Sequence, residues 1–481
     1  MRHTARVLLT AAVLLHALAA QAEQPSEATA RAVAEAVKQY GPVEFSRPGV
    51  VRVSPDGDGY RLSVDLARTV AAAIAPWTVK EASRPVVKLG NPAGGLWTFD
   101  TSGPFTLAAE LVAGTRSSTA SLVIASAAVK GMFDPATLFP REVEARASDA
   151  TLGLRAAQNS VRIGIGNFDL RSATTDRSAG LGDVDAKFSM QDASAILGAF
   201  PQPEVKLAAD RIDGTYRIGR LDLAGVGAIT RFWKTIARGK DVSALSTTER
   251  DGLRAILDKH LPALDEVGGS VTARGLSISA ADARFSADRL EYLSRWEGLS
   301  GKAALVVGMR VANVSVAEGV WPKGLEAVLP EEAALDAKVS GFDLSKTWKD
   351  LALLRTEQEY AQLPRDHFSG MMLPDGRVLL DIEEAVARSA FYNVSLKGHV
   401  QLLTGATEKV SARFSVTARN LDATVKYLQD NAGTIPVYAR FATMALMMKG
   451  LGKPGADSTT QWDVVYEDGG QITVNGQRLP F

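Results

Sequence analysis

Along most of the chain, apolar and polar residues alternate one for one, and the alternation is cut into segments by Gly, Asp, Asn and Pro. The stretch Val50 to Val64 (VVRVSPDGDGYRLSV) shows this grammar, with two alternating runs flanking Asp56-Gly57. An Asp-Gly pair between such runs marks a hairpin, because the favoured tight turns need positive φ. The grammar returns at Asp213-Gly214 (VKLAADRIDGTYRIGRLDLAG), Asp375-Gly376 (MLPDGRVLLDI) and Asp468-Gly469 (WDVVYEDGGQITVNG). These signals predict a mainly antiparallel β protein.

Helical periodicity interrupts the strands. Glu27 to Tyr40 is predicted helical and is stopped by Gly41-Pro42. Leu66 to Ile74 follows. Val226 to Arg238 places Ile229, Phe232, Trp233 and Ile236 at i, i+3, i+4 and i+7, one face of a helix. Further helices are expected at Thr247 to Val267 (kinked or broken at Pro262), Thr347 to Gln362 and Ile435 to Lys449. Evenly alternating βαβ units are missing, so the expected class is α+β: antiparallel hairpins in long curved sheets with interspersed helices and internal repeats. The expected organisation is a signal peptide (1–22), a β-rich N-terminal region (23–225), a helical insertion (226–268) and a β-rich C-terminal region (269–481). The last region carries helices near 347–362 and 435–449.

Two kinds of repetition support duplication. Ser270-Val-Thr-Ala-Arg274-Gly-Leu-Ser277 returns as Ser415-Val-Thr-Ala-Arg419-Asn-Leu-Asp422. A looser unit, a basic residue, an apolar residue and Ser on a strand and then Asp or Asn opening a helix, occurs at Arg61…Asp65, Lys187…Asp192, Lys338…Asp343 and Arg413…Asn420. The polar residue would cap the free N–H groups of the following helix.

Composition narrows the function. Lys and Arg total 54 and Asp and Glu total 54, so no basic excess is present to displace counterions from nucleic acid, and no nucleic-acid partner is expected. The chain has no Cys, which excludes disulfides, thiolate metal sites and a Cys nucleophile. Arg2 and Arg6, the apolar run Val7 to Ala20 and the small residues of Ala20-Gln21-Ala22 form the three parts of a secretory signal. A run of fourteen residues is too short to span a bilayer, which needs about 20. The expectation is cleavage before Glu23, a periplasmic location and no transmembrane helix afterwards.

Catalytic motifs are missing. No Ser sits between glycines as in a nucleophile elbow, and none is followed by Lys three places on. Gly450-Leu-Gly452-Lys-Pro-Gly455 matches G-x-G-x-x-G, but it follows a helix and Pro454 removes an amide that a phosphate would need. His260, His367 and His399 lie in separate segments, without the spacing of a zinc site. No metal, cofactor or catalytic residue is expected.

Two segments could bind. Phe232, Trp233 and Ile236 share a helix with Arg231, Lys234, Arg238 and Lys240, a composition that suits either an anionic membrane surface or a helix packed on a sheet. In Ile435 to Lys449, Val437, Tyr438, Phe441, Met444 and Met448 form an apolar stripe widened by Leu446 and Met447. A helix apolar nearly all round is usually buried, whereas clustered Met also makes an adaptable lining for apolar ligands.

The export signal, the lack of Cys, strand–helix units such as Lys338-Val-Ser-Gly-Phe-Asp-Leu-Ser345 and the closing Gly470-Gln-Ile-Thr-Val-Asn-Gly-Gln-Arg-Leu-Pro480 resemble exported bacterial families of unknown function. More distantly, the chain is similar to the AsmA-like envelope proteins, from which it departs in lacking an evident retained anchor. That resemblance implies a long β-structure with an apolar groove and a link to lipid traffic, and it carries over no functional residue. The leading expectation is a non-enzymatic periplasmic protein that binds lipid or another apolar ligand. The alternatives are a scaffold that docks an envelope protein partner along sheet edges, and a hydrolase whose carboxylates converge only in the fold.

Overall fold

The computed structural model describes residues 25–40, 43–73, 77–90, 95–113, 116–134, 139–156, 159–177, 180–199, 202–236, 242–317, 328–353, 359, 361–364, 367–403 and 409–479. The expected signal peptide lies outside them. The helices are α1 (Glu27–Tyr40), α2 (Leu66–Ala73), α3 (Leu223–Arg231), α4 (Thr247–His260), α5 (Ser345–Ala352), α6 (His367–Met372), α7 (Leu421–Asn431) and α8 (Val437–Leu451). The strands of the first half are β1 (Val51–Asp56), β2 (Gly59–Val64), β3 (Thr78–Ala82), β4 (Val86–Gly90), β5 (Trp97–Ala113), β6 (Arg116–Asp134), β7 (Phe139–Ala156), β8 (Asn159–Asp176), β9 (Leu181–Ala199) and β10 (Gln202–Asp222). Those of the second half are β11 (Glu266–Ala280), β12 (Ala283–Glu297), β13 (Lys302–Val316), β14 (Glu332–Asp343), β15 (Arg377–Arg388), β16 (Asn393–Leu403), β17 (Lys409–Arg419), β18 (Lys453–Pro454), β19 (Thr459–Glu467), β20 (Gln471–Val474) and β21 (Gln477–Arg478). Antiparallel strands make up 61% of the structure, so the α+β class stands with the sheet dominant.

The chain divides into two compact units: residues 1–206, 211–265 and 348–362 form the first, and 207–210, 266–347 and 363–481 the second. In the first unit, β1 and β2 form the expected hairpin, with Asp56 opposite Gly59. Strands β5 to β9 then run as a meander of 17 to 19 residues each, far longer than the usual five or six. The main core lies at one end of this meander. Ala30, Val33 and Val37 of α1, with Phe45, pack against Tyr60, Leu62, Leu89, Trp97, Phe99 and Phe133, and Tyr60 stacks on Trp97 at 6.0 Å. A separate small core joins Phe232 to Leu245 and Leu253. In the second unit, β11 to β17 form another meander, continued through β19, β20 and β21. Helices α7 and α8 pack on each other through Leu428, Tyr438 and Ala442.

Several sequence expectations are corrected. Asp213-Gly214 is no turn: it lies within β10, a single 21-residue strand. Gly214 is there because the Phe188 ring occupies the space a Cβ would need. Asp375-Gly376 turns the chain from α6 into β15, so it is a helix-to-strand turn rather than a hairpin. Asp192 opens no helix and sits inside β9 at φ 53°. The helix expected from Val226 starts at Leu223, because the Asp222 side chain accepts from the Gly225 N–H at 2.8 Å, and it ends in a π-helical turn, Phe232–Ile236. The helix from Thr247 stops at His260, ahead of Pro262, and does not reach Val267. Asp65 and Asp343 do cap as expected: Asp65 accepts from the Arg68 N–H and Asp343 from the Ser345 N–H.

Candidate functional site

The register of the second unit lines up apolar residues across eight strands. From Val271 on β11, successive register partners are Tyr292, Met309, Leu335, Ala385, Leu396, Val416 and Trp462. Because side chains alternate between faces, the rows two residues away share this face. The row two residues to one side reads Ala273, Leu290, Val311, Ala333, Ala387, Val394, Ala418 and Thr460, and the row four residues to the other reads Val267, Trp296, Leu305, Val339, Leu380, Val400, Ala412 and Tyr466. The intervening row, Thr272, Glu291, Arg310, Ala334, Val386, Ser395, Thr417 and Gln461, belongs to the opposite, mostly polar face. The sheet is therefore amphipathic across its whole width.

One end of the apolar face is covered and the other is open. Trp462 is 3% exposed, packs with Val416, Leu421, Leu451 and Ile472, and donates its indole N–H to the Met448 carbonyl at 2.7 Å. At the far end of the same row, Val271, Tyr292, Met309 and Leu335 are 36–47% exposed on four adjacent strands. Adjacent exposed apolar residues of this kind make a candidate binding surface, whereas scattered exposed apolar residues need no explanation.

The first unit repeats the arrangement. Leu107, Leu122, Leu152, Ile163 and Ala195 are register partners across β5 to β9, and so are Ala109, Ala120, Leu154, Val161 and Leu197. Along β6 the less exposed positions are 118, 120, 122 and 124 and then 127, 129, 131 and 133, so the alternation slips by one residue at 125–126. Left-handed residues Gly103, Asp149 and Asp192 lie on this line in β5, β7 and β9. The slip keeps the apolar face continuous, although the sequence changes phase. Again one end is covered, by α1 over Trp97, Phe99 and Phe133, and the other leaves Leu154, Ile163 and Leu197 exposed.

The polar faces carry cross-strand ion pairs. Lys130 binds Glu144 at 3.0 Å, and its hydrogen bond and charge hold the Glu144 carboxyl below its ordinary pKa. A shallow cleft on the second unit's polar face contains Glu291, Glu332 and Glu384 with Arg289, Arg310 and Arg388. Arg289 pairs with Glu291, Arg388 with Glu332 and Arg310 with Asp336. The Glu291, Glu332 and Asp336 carboxylates are each engaged by a guanidinium in these pairs. His260 bonds Asp222 at 2.7 Å, and His367 meets the Phe368 ring edge-on.

The predicted binding residues separate. Tyr438 is fully buried and Val437 packs against its cluster, so both belong to the core of α7 and α8. Phe441, Met444 and Met448 point away from it, at 40%, 62% and 42% exposure. Phe232, read as membrane-facing, is 2% exposed inside its core; Trp233 packs edge-on against it at 5.7 Å, and only Ile236 of the three is exposed. The solvated positions of that turn are fewer than its periodicity suggests, because Leu245 and Leu253 fold over it.

No family model, curated protein or solved structure matches the chain. The functional reading rests on this chain's own geometry. The apolar rows went unrecognised in the sequence: each strand shows its alternation, but only the register shows that the apolar phases coincide. Among the described residues no helix is long and apolar enough to cross a membrane.

Proposed function

We propose that the protein is a non-enzymatic periplasmic lipid-binding protein that holds acyl chains, or a ligand of like shape and polarity, along the apolar face of its sheets. The observation that carries this reading is the open end of the eight-strand row, Val271, Tyr292, Met309 and Leu335, next to a covered end on the same face. An extended apolar face, covered at one end, suits a flexible hydrocarbon chain better than a compact polar metabolite. Bulges such as that between Ile382 and Ala385 bend strands locally and increase twist, which favours a face that curves around a ligand. The distant AsmA-like resemblance points the same way.

The repeated Ser-Val-Thr-Ala-Arg strand favours an origin by duplication. Gly275 and Asn420, the residues that follow its two copies, share the left-handed conformation at φ 61° and 58°. Periplasmic location rests on Arg2, Arg6, the Val7 to Ala20 core and Ala20-Gln21-Ala22.

The test is to purify the protein from the periplasmic fraction of its native cells, sequence its N-terminus and extract bound lipid for mass spectrometry. A start at Glu23 and lipid approaching one or more molecules per protein are expected. Protein that begins at Met1 in the membrane fraction would refute the location, and protein that is free of lipid and takes up none from vesicles would refute the ligand.

A further inference from the structure

Helix α8 leaves an unusual surface uncovered. With about 100° per residue, Tyr438, Ala442 and Ala445 fall on one side, where Tyr438 and Ala442 are buried against α7. Opposite them lie Arg440, Met444 and Met447, flanked by Phe441 and Met448. Met444 and Met447 are 62% and 67% exposed, and Phe441, Leu446 and Met448 are 40–45% exposed. A globular helix normally turns its apolar stripe inward and its charged residues outward; α8 buries a thin stripe and turns its largest apolar side chains out.

The charge around this face is one-sided. Helix α8 contains Arg440 and Lys449 and no acid, and from Leu421 to Lys453 the cations Lys426, Arg440, Lys449 and Lys453 outnumber the acids Asp422 and Asp430. Lys449 is tied to Asp422 and Lys426 to Asp430, which leaves Arg440 beside the methionines and Lys453 just past the helix as the excess positive charge. Exposed apolar side chains with a cationic rim complement an anionic lipid surface: the apolar face enters the acyl boundary and the cations meet the headgroups.

The position of the helix gives the contact a use. Met448 of α8 accepts a hydrogen bond from Trp462, the last member of the eight-strand apolar row. We infer that the outward face of α8 docks on the surface of an anionic bilayer, which places the covered end of the row against the membrane with which lipid is exchanged. The exchange part of this inference rests on the proposed function; the docking part stands on α8 alone.

Flotation of the full chain with vesicles tests it, using phosphatidylcholine alone and phosphatidylcholine with phosphatidylglycerol, against a Met444→Glu, Met447→Glu double variant. Both positions are solvent-exposed, so the variant should melt with the wild type. Wild-type protein is expected to float with the anionic vesicles, to lose that binding as salt is raised, and to bind about tenfold or more weakly when the two Glu are introduced, from lost insertion plus charge repulsion. Failure of the wild type to float with anionic vesicles overturns the docking. So does light scattering that shows a dimer which the double variant splits, because a second copy would then cover α8. Lipid retained on the same preparations separates the two readings: retained lipid without flotation defeats the docking alone, and flotation without retained lipid defeats the lipid-binding function alone.

Discussion

Asp183 shows what a single residue contributes to the long sheet. Its carboxylate accepts from the backbone N–H of Arg220 at 2.9 Å and from the side chains of Arg177 and Arg217. Arg220 holds a left-handed conformation at φ 54°, costly for a residue with a Cβ, and the bond to Asp183 fixes it there. Burial pushes the Asp183 pKa up, but the Arg220 N–H, then Arg177 and Arg217, outweigh it and hold the carboxyl below its ordinary value. A group whose folded pKa is depressed stabilises the fold above its unfolded pKa of about 3.9 and loses that contribution as pH falls through the folded value. Urea midpoints measured from neutral to strongly acidic pH should therefore fall below about pH 4, and Asp183→Asn should flatten part of that fall while costing about 1–3 kcal/mol at neutral pH. Parallel curves for the two proteins would show that Asp183 is no such anchor. At the same scale, Gly214 explains a misreading. Beside Asp, a Gly signals a turn, yet here the missing side chain makes room for Phe188 on the neighbouring strand. Local sequence cannot separate the two uses, because the ring comes from a residue 26 positions away.

Elements governed by local signals were legible. Helix α1 has the predicted bounds, α2 matches over its described residues, and the hairpins at Asp56-Gly57 and Asp468-Gly469 form as read. A cap shifts the start of another, since Asp222 starts α3 early, whereas the Ser246–Glu249 capping box starts α4 at Thr247 as read. Helix α8 was legible as a helix but not in its placement, because periodicity cannot separate an apolar face that is buried from one that is left open. The difference can be measured. Tyr438→Ala should cost about 3–5 kcal/mol, since it empties a fully buried site. Met444→Ala, at a position 62% exposed, should stay within about 0.5 kcal/mol. Thermal melts of the two variants decide it, and a large loss from Met444→Ala would mean that the exposed face of α8 is covered in solution.

For the whole molecule, the meaning lies in register, which no single strand contains. Leu335 and Ala334 are neighbours on β14, and their register partners separate them completely: Leu335 stands between Met309 and Ala385 on the apolar face, and Ala334 between Arg310 and Val386 on the polar one. If the apolar face carries the ligand, an acid at Leu335 places a charge in the acyl path and should remove most of the retained lipid. An acid at Ala334 sits among cross-strand ion pairs and should leave retention unchanged. Leu335 is 36% exposed, so Leu335→Asp can partly solvate its charge, and the melts of both variants should lie within about 1–2 kcal/mol of the wild type. Folding damage therefore does not imitate the effect. Lipid recovered per mole from Leu335→Asp and Ala334→Asp, purified side by side, is the measurement. Equal retention would place the ligand elsewhere, whereas a loss confined to Leu335→Asp would tie lipid binding to one face of the sheet, since the two introduced acids stand one residue apart on β14 and on opposite faces.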